Sequence, residues 1–500
     1  MNHNAVDCLS RCSRRSFFQN GVLSGISLSF GRAFAVPAGM ADSAGLRLKF
    51  GVLSDIHISE YGAPDADELA RPDNAKTFLK ALAFLRDANV DAVMIPGDLT
   101  NGGFDHELRA VGRAWRQVFP DDRAADGRHV EKLFIGGNHD WEGWKYGRVG
   151  EKLYPDPDER ACHLICNHLE ALWLEVFGEP FSRVVDKEVQ GYRFIGTHWP
   201  FHETVGKYLG ESSLGLPRDR PFFYFQHPPP PGNQSDSASL RKGSCTATRF
   251  LADFPNAFSI SGHTHSSVTD ERSIVQRAFT SIDAGSLRFT AAPAGRENSG
   301  PMRNSEFKQM PMIATRDCRQ GLIFSVYGDR IVVARREYVS GQPLGPDWVI
   351  PLDGSRPFDL ARRAAAARPP QFPADAKLRL SAPSKGRTRG GAKRCQITLV
   401  VPQALPPDEA CGRVMDYRVE VKMSQGGLVN ETFAVRRFIA DGFNKPVGAQ
   451  PAEMACVLDD EALPHECQLT FEVRAADCFG NLSRPITLGP VKLKGIVVRW

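Results

Sequence analysis

The chain has 500 residues, 42% hydrophobic and 24% charged, with a formal net charge of +4. The length suggests more than one domain, and the composition is that of an ordinary globular protein with a substantial core. Residues 1–35 hold Arg11, Arg14, Arg15 and Arg32 against Asp7, a net +3, which leaves the rest of the chain near +1 and gives no nucleic-acid-binding signature.

The N-terminus reads as a targeting segment. Ser13-Arg14-Arg15-Ser16-Phe17-Phe18 matches the twin-arginine pattern, a weakly apolar stretch runs from Gly21 to Phe30, and Ala33-Phe34-Ala35 offers a small-x-small cleavage site. Residues 1–35 are therefore expected to be a signal peptide handled by the twin-arginine export machinery, with the mature protein in the periplasm or secreted. The apolar stretch is too short to span a bilayer stably, and no other segment approaches the required length, so no membrane span is expected after signal removal. There are 11 cysteines, an odd number that leaves at least one free thiol, and they lack the paired spacing of a Cys-based metal site.

Taken in order, the chain repeats one design. Leu48 to Leu53 is an apolar strand running into Ser54-Asp55-Ile56-His57. Asn74 to Ala88 has apolar residues at helical spacing and returns to a second strand, Ala92 to Ile95, which ends at Pro96-Gly97-Asp98. A polar turn, Leu99 to Gly103, precedes a helix over Glu107–Phe119. A third strand, Leu133-Phe134-Ile135, enters Gly136-Gly137-Asn138-His139-Asp140, where two glycines allow a sharp turn before an amide, an imidazole and a carboxylate. An Asn offers a neutral oxygen ligand, a His a proton donor, and an Asp can orient that His.

A long insertion follows. It opens with Trp141, Trp144, Lys145, Tyr146 and Arg148, which are candidates for a substrate pocket or for edge packing. Ala161 to Phe177 reads as an amphipathic helix with His163 and His168 at its surface. Tyr192 to Gly196 is a strand whose end carries His198, a second-shell or substrate candidate. Phe222 to Phe225 runs into Gln226-His227 and a stiff four-proline exit. Ala257 to Ile260 runs into Ser261-Gly262-His263-Thr264-His265. Ser281 to Leu287 looks like a strand and turn, and Gly321–Tyr327 with Ile331–Tyr338 a hairpin. Five strand ends thus offer Asp, His and Asn, and in open α/β sheets ligands bind at those ends. Oxygen and imidazole nitrogen without thiolate suit Mn, Fe, Zn, Ni or Co.

Asp55-x-His57, Gly97-Asp98, Gly137-Asn138-His139-Asp140, His227 and Gly262-His263-x-His265, in this order, resemble the five-block signature of the calcineurin-like metallophosphoesterases. The resemblance implies an αββα four-layer sandwich and a two-metal hydrolase of phosphoesters whose nucleophile is a hydroxide bridging the metals. It assigns Asp55, His57 and His265 to one metal and Asn138, His227 and His263 to the other. Asp98 would bridge them, His139 would be the catalytic imidazole, and Asp140 would orient it. An iron site of the purple-acid-phosphatase type needs a Tyr shortly after the second Asp, and Leu99-Thr100-Asn101 supplies none. A phosphodiester is the expected substrate, because the motifs supply no fixed cation beyond His139; Lys145, Arg148 and Lys207 would favour a monoester if they point inward. The alternative of another class is a non-catalytic exported binding or adhesion protein. Export of a folded protein suits an enzyme that takes up its metals in the cytoplasm.

The catalytic domain is expected over residues 46–355. Residues 356–374, rich in Ala, Arg and Pro, read as a linker. Residues 375–500 show strands at Ile397–Val400, Tyr417–Val421 and Leu469–Val473, and a tight turn at Asp477 to Asn481 before Pro485–Leu488. This resembles a fibronectin type III-like β-sandwich.

Overall fold

The computed structural model describes residues 45–59, 74–143, 163–199, 201, 205–212, 215–230, 246–291, 296–298, 318–387, 393–406, 413–426, 428–446, 451–459, 463–464 and 467–493. The expectations for the signal segment and for Trp144, Lys145, Tyr146 and Arg148 lie outside these residues. Six cysteines among them are free thiols, and no described helix is long and apolar enough to cross a membrane.

Twelve strands build two sheets. The chain lays down β1 (Leu48–Val52), β2 (Ala92–Pro96) and β3 (Glu131–Ile135). It then builds the second sheet from β4 (Val184–Val189), β5 (Tyr192–Thr197), β6 (Phe222–Gln226), β7 (Ala257–Ser261), β8 (Ile274–Gln276) and β9 (Thr280–Asp283). It returns to the first sheet with β10 (Gln320–Val326), β11 (Arg330–Glu337) and β12 (Trp348–Pro351). The orders are β12-β11-β10-β1-β2-β3 and β4-β5-β6-β7-β9-β8. The site-bearing strands run parallel: β1 with β2, β2 with β3, β6 with β7 and β7 with β9.

Strand alternation sorts the side chains into layers. Leu48, Phe50, Val52, Met94 and Phe324 of the first sheet pack against Phe194, Phe223, Phe225, Phe258 and Ile282 of the second. The opposite face of the first sheet, including Val93, Ile95, Phe134 and Ile323, is covered by α1 (Asn74–Asp87), α2 (Asp105–Val118) and, beyond the one-turn α3 (Asn138–Glu142), α4 (Ile165–Phe177). The outer face of the second sheet, with Ile195, Phe222 and Tyr224, is covered by α5 (Val205–Ser212) and α6 (Thr246–Leu251). The result is the expected αββα order.

Beyond it stand two four-stranded antiparallel sheets. In one, Lys393–Pro402 pairs with Arg379–Leu380, Ser384–Arg387 and Glu453–Asp459. The other runs in the order Leu428–Ile439, Val414–Gln425, Gln468–Asp477, Ile486–Val491. Ile397, Leu399 and Val401 of the first share a core with Tyr417, Val419, Phe471 and Val473 of the second, so the sheets form a sandwich. The expected tight turn is closed by the Asp477 carboxylate, which accepts from the backbone N–H groups of Phe479 and Asn481 at 2.9 Å each.

The segment read as a linker contains a helix, α7 (Leu360–Ala366), with Asp359 as its N-cap. Its Leu-Ala-Arg-Arg-Ala-Ala-Ala run is rich in strong helix formers, a property the compositional reading passed over. Arg363 of α7 bonds the carboxylate of Glu271. That buried carboxylate also takes Arg335 Nη1 at 2.7 Å and Trp348 Nε1 at 3.0 Å. Glu271 thereby ties β11, β12 and α7 to the turn before β8. Glu271→Ala leaves the buried Arg335 without its counter-ion and should destabilise the fold by about 3–5 kcal/mol. An unchanged thermal unfolding midpoint would show that Glu271 is dispensable.

Candidate metal centre

β1, β2, β3, β6 and β7 all end at one edge of the sandwich, and each carries its polar residues just past the last apolar position. Asp55, His57, Asp98, His263 and His265 all have positive φ, between 49° and 68°. Non-glycine residues rarely take this conformation, and strain of this kind costs of order 1–3 kcal/mol per residue. Two glycines make the approach possible. A Cβ at Gly137 would lie 2.3 Å from Asp98 Oδ1, and one at Gly262 would lie 2.6 Å from Asp55 Oδ2.

The candidate donor atoms lie close together. His265 Nε2 lies 3.1 Å and His57 Nε2 3.9 Å from Asp55 Oδ1. Asp98 Oδ2 is 3.4 Å from His57 Nε2 and 3.1 Å from His227 Nε2. Asn138 Oδ1 is 3.0 Å from His227 Nε2 and 2.8 Å from His263 Nδ1. Asp55, His57 and His265 form one cluster, Asp55, Asp98 and His227 a second, and His57, Asp98 and His139 a third. Each cluster keeps its ligand atoms within 4.8 Å of one another.

The donor set fits metal ions. His227 Nδ1 donates to Pro96 O at 2.8 Å and His265 Nδ1 to Phe289 O at 3.0 Å. A carbonyl can only accept, so in the neutral ring each Nε2 keeps its lone pair toward a carboxylate. His57 Nε2 is buried and has no hydrogen-bond partner. Burial opposes a charged His227, yet Asp98 beside it raises its pKa to about 9. A metal ion would take the place of that proton. Burial also opposes a charged Asp98, but His227, His139 and His57 hold its carboxyl far below the usual range.

His139 lies in the same cluster, its ring centroid 4.4 Å from that of His57. Burial lowers its pKa, with Asp98 and the Asn101 carbonyl acting the other way. The expected role of Asp140 is corrected here. His139 Nδ1 donates to Asn101 O at 2.7 Å, whereas the Asp140 carboxylate accepts from Gly137 N at 2.7 Å, Thr100 N at 2.8 Å, Thr100 Oγ1 at 2.7 Å and Leu99 N at 3.1 Å. Consecutive helical residues face different directions, so Asp140 staples the third strand end to the second rather than orienting its neighbour. Glu107 completes that loop by accepting from Gly102 N at 2.8 Å and Phe104 N at 3.3 Å.

The other candidates sort differently. His198 is buried behind the centre against Trp173 and Phe181, with Nδ1 accepting from Gly136 N at 2.9 Å. It braces the turn before Asn138. Trp141 packs on Phe181 and Phe201 as edge packing. Lys207 is 85% exposed and pairs with Glu211 at 3.8 Å, so it points outward. Sequence reasoning missed Arg288, whose Nη1 lies 3.0 Å from His57 Nδ1. Its signal was placement: it follows β9, which ends at the same edge as β7.

Residues 48–267 match the calcineurin-like phosphoesterase family model. The match spans all five motif blocks, and this part of the chain has the metallophosphoesterase α/β sandwich fold. Among solved structures, the chain is similar to a dimetal phosphatase from Danio rerio at 14% identity, over 61% of this chain and 99% of that one, with a TM-score of 0.36. It is similar to a purple acid phosphatase from yellow lupin (Lupinus luteus) seeds at 12% identity, over 61% and 53%, with a TM-score of 0.35. A predicted phosphoesterase from Streptococcus pneumoniae is covered over 97% of its length and 61% of this chain, at 12% identity and a TM-score of 0.25. No curated protein matches the chain.

Burial lowers the His198 pKa from 6.5 to about 3. The unfolded chain therefore takes up this proton first, and stability should fall as pH drops from about 6.5 toward 3. Between about pH 7.5 and pH 5, wild type should lose about 2 kcal/mol more than His198→Gln in urea unfolding. Equal losses would remove His198 as the source.

Proposed function

We propose that this protein is a two-metal phosphoester hydrolase. The observation that carries the reading is the convergence of Asp55, His57, Asp98, Asn138, His227, His263 and His265 at one sheet edge, with His139 in contact. Asp55, His57 and His265 would hold one divalent ion, Asn138, His227 and His263 the other, and Asp98 would serve both. Ions held there supply positive charge to phosphoryl oxygens and acidify an attacking water.

The chain's own residues do the rest. Asp98, held ionised, keeps the two halves of the centre together. The Asn101 carbonyl fixes the proton of His139 on Nδ1, and the residue stands in the cluster with His57 and Asp98. In its protonated form the ring would give its Nε2 proton to the leaving oxygen. Asp140 and Glu107 keep the loop that carries Asn101 in register.

The other parts of the reading rest on sequence. The arginine pair and cleavage site support export by the twin-arginine route to the periplasm or medium. The composition supports a catalytic domain over 46–355 and a fibronectin type III-like sandwich over 375–500, whose described residues supply none to the three clusters.

Two variants test the reading. Asp98→Ala should bind less metal than a variant in any one terminal ligand, as measured by elemental analysis; two metals retained per chain would sink the shared role. His139→Ala should keep its metals and lose about 10²–10⁴-fold in turnover, less for a nitrophenolate leaving group than for an alkoxide. An equal loss for both leaving groups would replace proton donation by charge stabilisation.

A further inference from the structure

A cavity of about 520 Å³ lies between α4, residues 179–183, β4 and α5. Trp173, Pro180, Val184 and Tyr208 give it walls of aromatic and aliphatic surface. The Tyr208 hydroxyl donates to the Asp186 carboxylate, which holds that ring in place. Cavities of this size commonly hold a small organic molecule. None of its lining residues belongs to the three metal clusters.

Two further lining residues carry unused donors. His198 is 1% exposed, and its Nδ1 accepts from Gly136 N at 2.9 Å. The neutral ring therefore carries its hydrogen on Nε2. That nitrogen is buried and has no hydrogen-bond partner, a cost that an incoming acceptor would relieve. Arg183 is exposed and stands over the Phe201 ring at 5.0 Å. The two carboxylates in the cavity wall already have cations: Glu179 takes Lys187 Nζ and Asp186 takes Arg193 Nη2, each at 2.6 Å. Among the described residues no hydrogen bond or ion pair engages the Arg183 guanidinium, so its charge is left to the cavity.

We propose that this cavity is a second ligand site, built for a small aromatic carboxylate. The carboxylate takes the Arg183 guanidinium and the His198 Nε2–H, and the ring packs on Trp173 and Tyr208. A planar carboxylate matches the guanidinium fork, and aromatic walls favour a flat apolar body. Glu179 and Asp186 disfavour a ligand of higher negative charge. The site touches the metal centre through one residue. Gly136 gives its N–H to His198 and takes the Trp199 N–H at 2.9 Å, and Gly137, Asn138 and His139 follow it directly. A ligand bound to His198 is thus one hydrogen bond from the turn that delivers Asn138 and His139.

The test uses the full chain loaded with zinc, with benzoate as probe and benzamide as its uncharged counterpart, followed by calorimetry. Wild type should bind one benzoate per chain, and should still do so in excess inorganic phosphate, which competes for metal ions. Benzamide should bind about 10- to 100-fold more weakly. Arg183→Ala removes an exposed side chain, so it should keep the wild-type unfolding midpoint while losing about 10- to 100-fold in benzoate affinity. Arg183→Lys, which keeps the charge without the fork, should fall between. With ¹⁵N-labelled histidine, the Nε2–H resonance of His198, assigned by its loss in His198→Gln, should move when benzoate is added. No benzoate binding, displacement by phosphate, equal affinity in Arg183→Ala or an unmoved His198 resonance would each overturn the proposal. Each of these results leaves the hydrolase reading intact.

Discussion

The structure depends on keeping the Asp98 carboxylate ionised where water does not reach it. The side chain is buried, and it stands at the end of β2, between the ends of β1 and β3. Oδ1 accepts from His139 N at 2.8 Å, while Oδ2 faces His57 and His227. A carboxylate in such surroundings persists only if cations and donors surround it. The imidazoles supply that, and metal ions would supply it more strongly. The neighbouring elements conform to this one group. Gly137 has no Cβ because Asp98 occupies the space, and Asp140 turns away to hold the loop that follows Asp98.

Such an arrangement is not favourable by itself. Five site residues sit at positive φ, and the imidazoles crowd one another. What holds them is the packing beneath: largely buried strands, with Phe50, Phe194, Phe223 and Phe324 interlocked at centroid separations of 4.6 to 5.2 Å. A second layer of hydrogen bonds transmits this rigidity. Arg319 Nη1 donates to Asn74 Oδ1 at 2.7 Å, and Asn74 Nδ2 to the carbonyl of His57 at 3.0 Å. Preorganised geometry of this kind places charge without reorganisation when a reaction occurs.

The C-terminal sandwich enters this scheme through the segment that leaves the centre. Beyond Arg288, Arg296 donates to the buried Asp416 carboxylate at 2.9 and 2.7 Å, and Asn298 exchanges hydrogen bonds with Ile439 at 2.8 Å each way. Asp416 also takes Arg437 at 2.6 Å. Residues 288 and 289 are thus fastened to the candidate metal centre, and residues 296 and 298 to the sandwich. Breaking a buried pair of this kind strands an uncompensated charge, which keeps such a fastening in place.

The sequence by itself determined the strands and the groups at their ends. An apolar run followed at once by Asp, His or Asn is local information, and parallel strands bring such ends to one edge. Helices with clear 3.6-residue periodicity, such as Asn74–Asp87, were legible for the same reason. Only the tertiary structure decided which way each polar group turned. Asp140 follows His139 directly, yet helical geometry sends its carboxylate to Leu99 and Thr100. Arg288 lies 231 residues from His57, and the two meet because β9 pairs beside β7 and its exit crosses to Ser54. The order of strands in a sheet is set by packing between distant segments, and no local pattern of residue types encodes it.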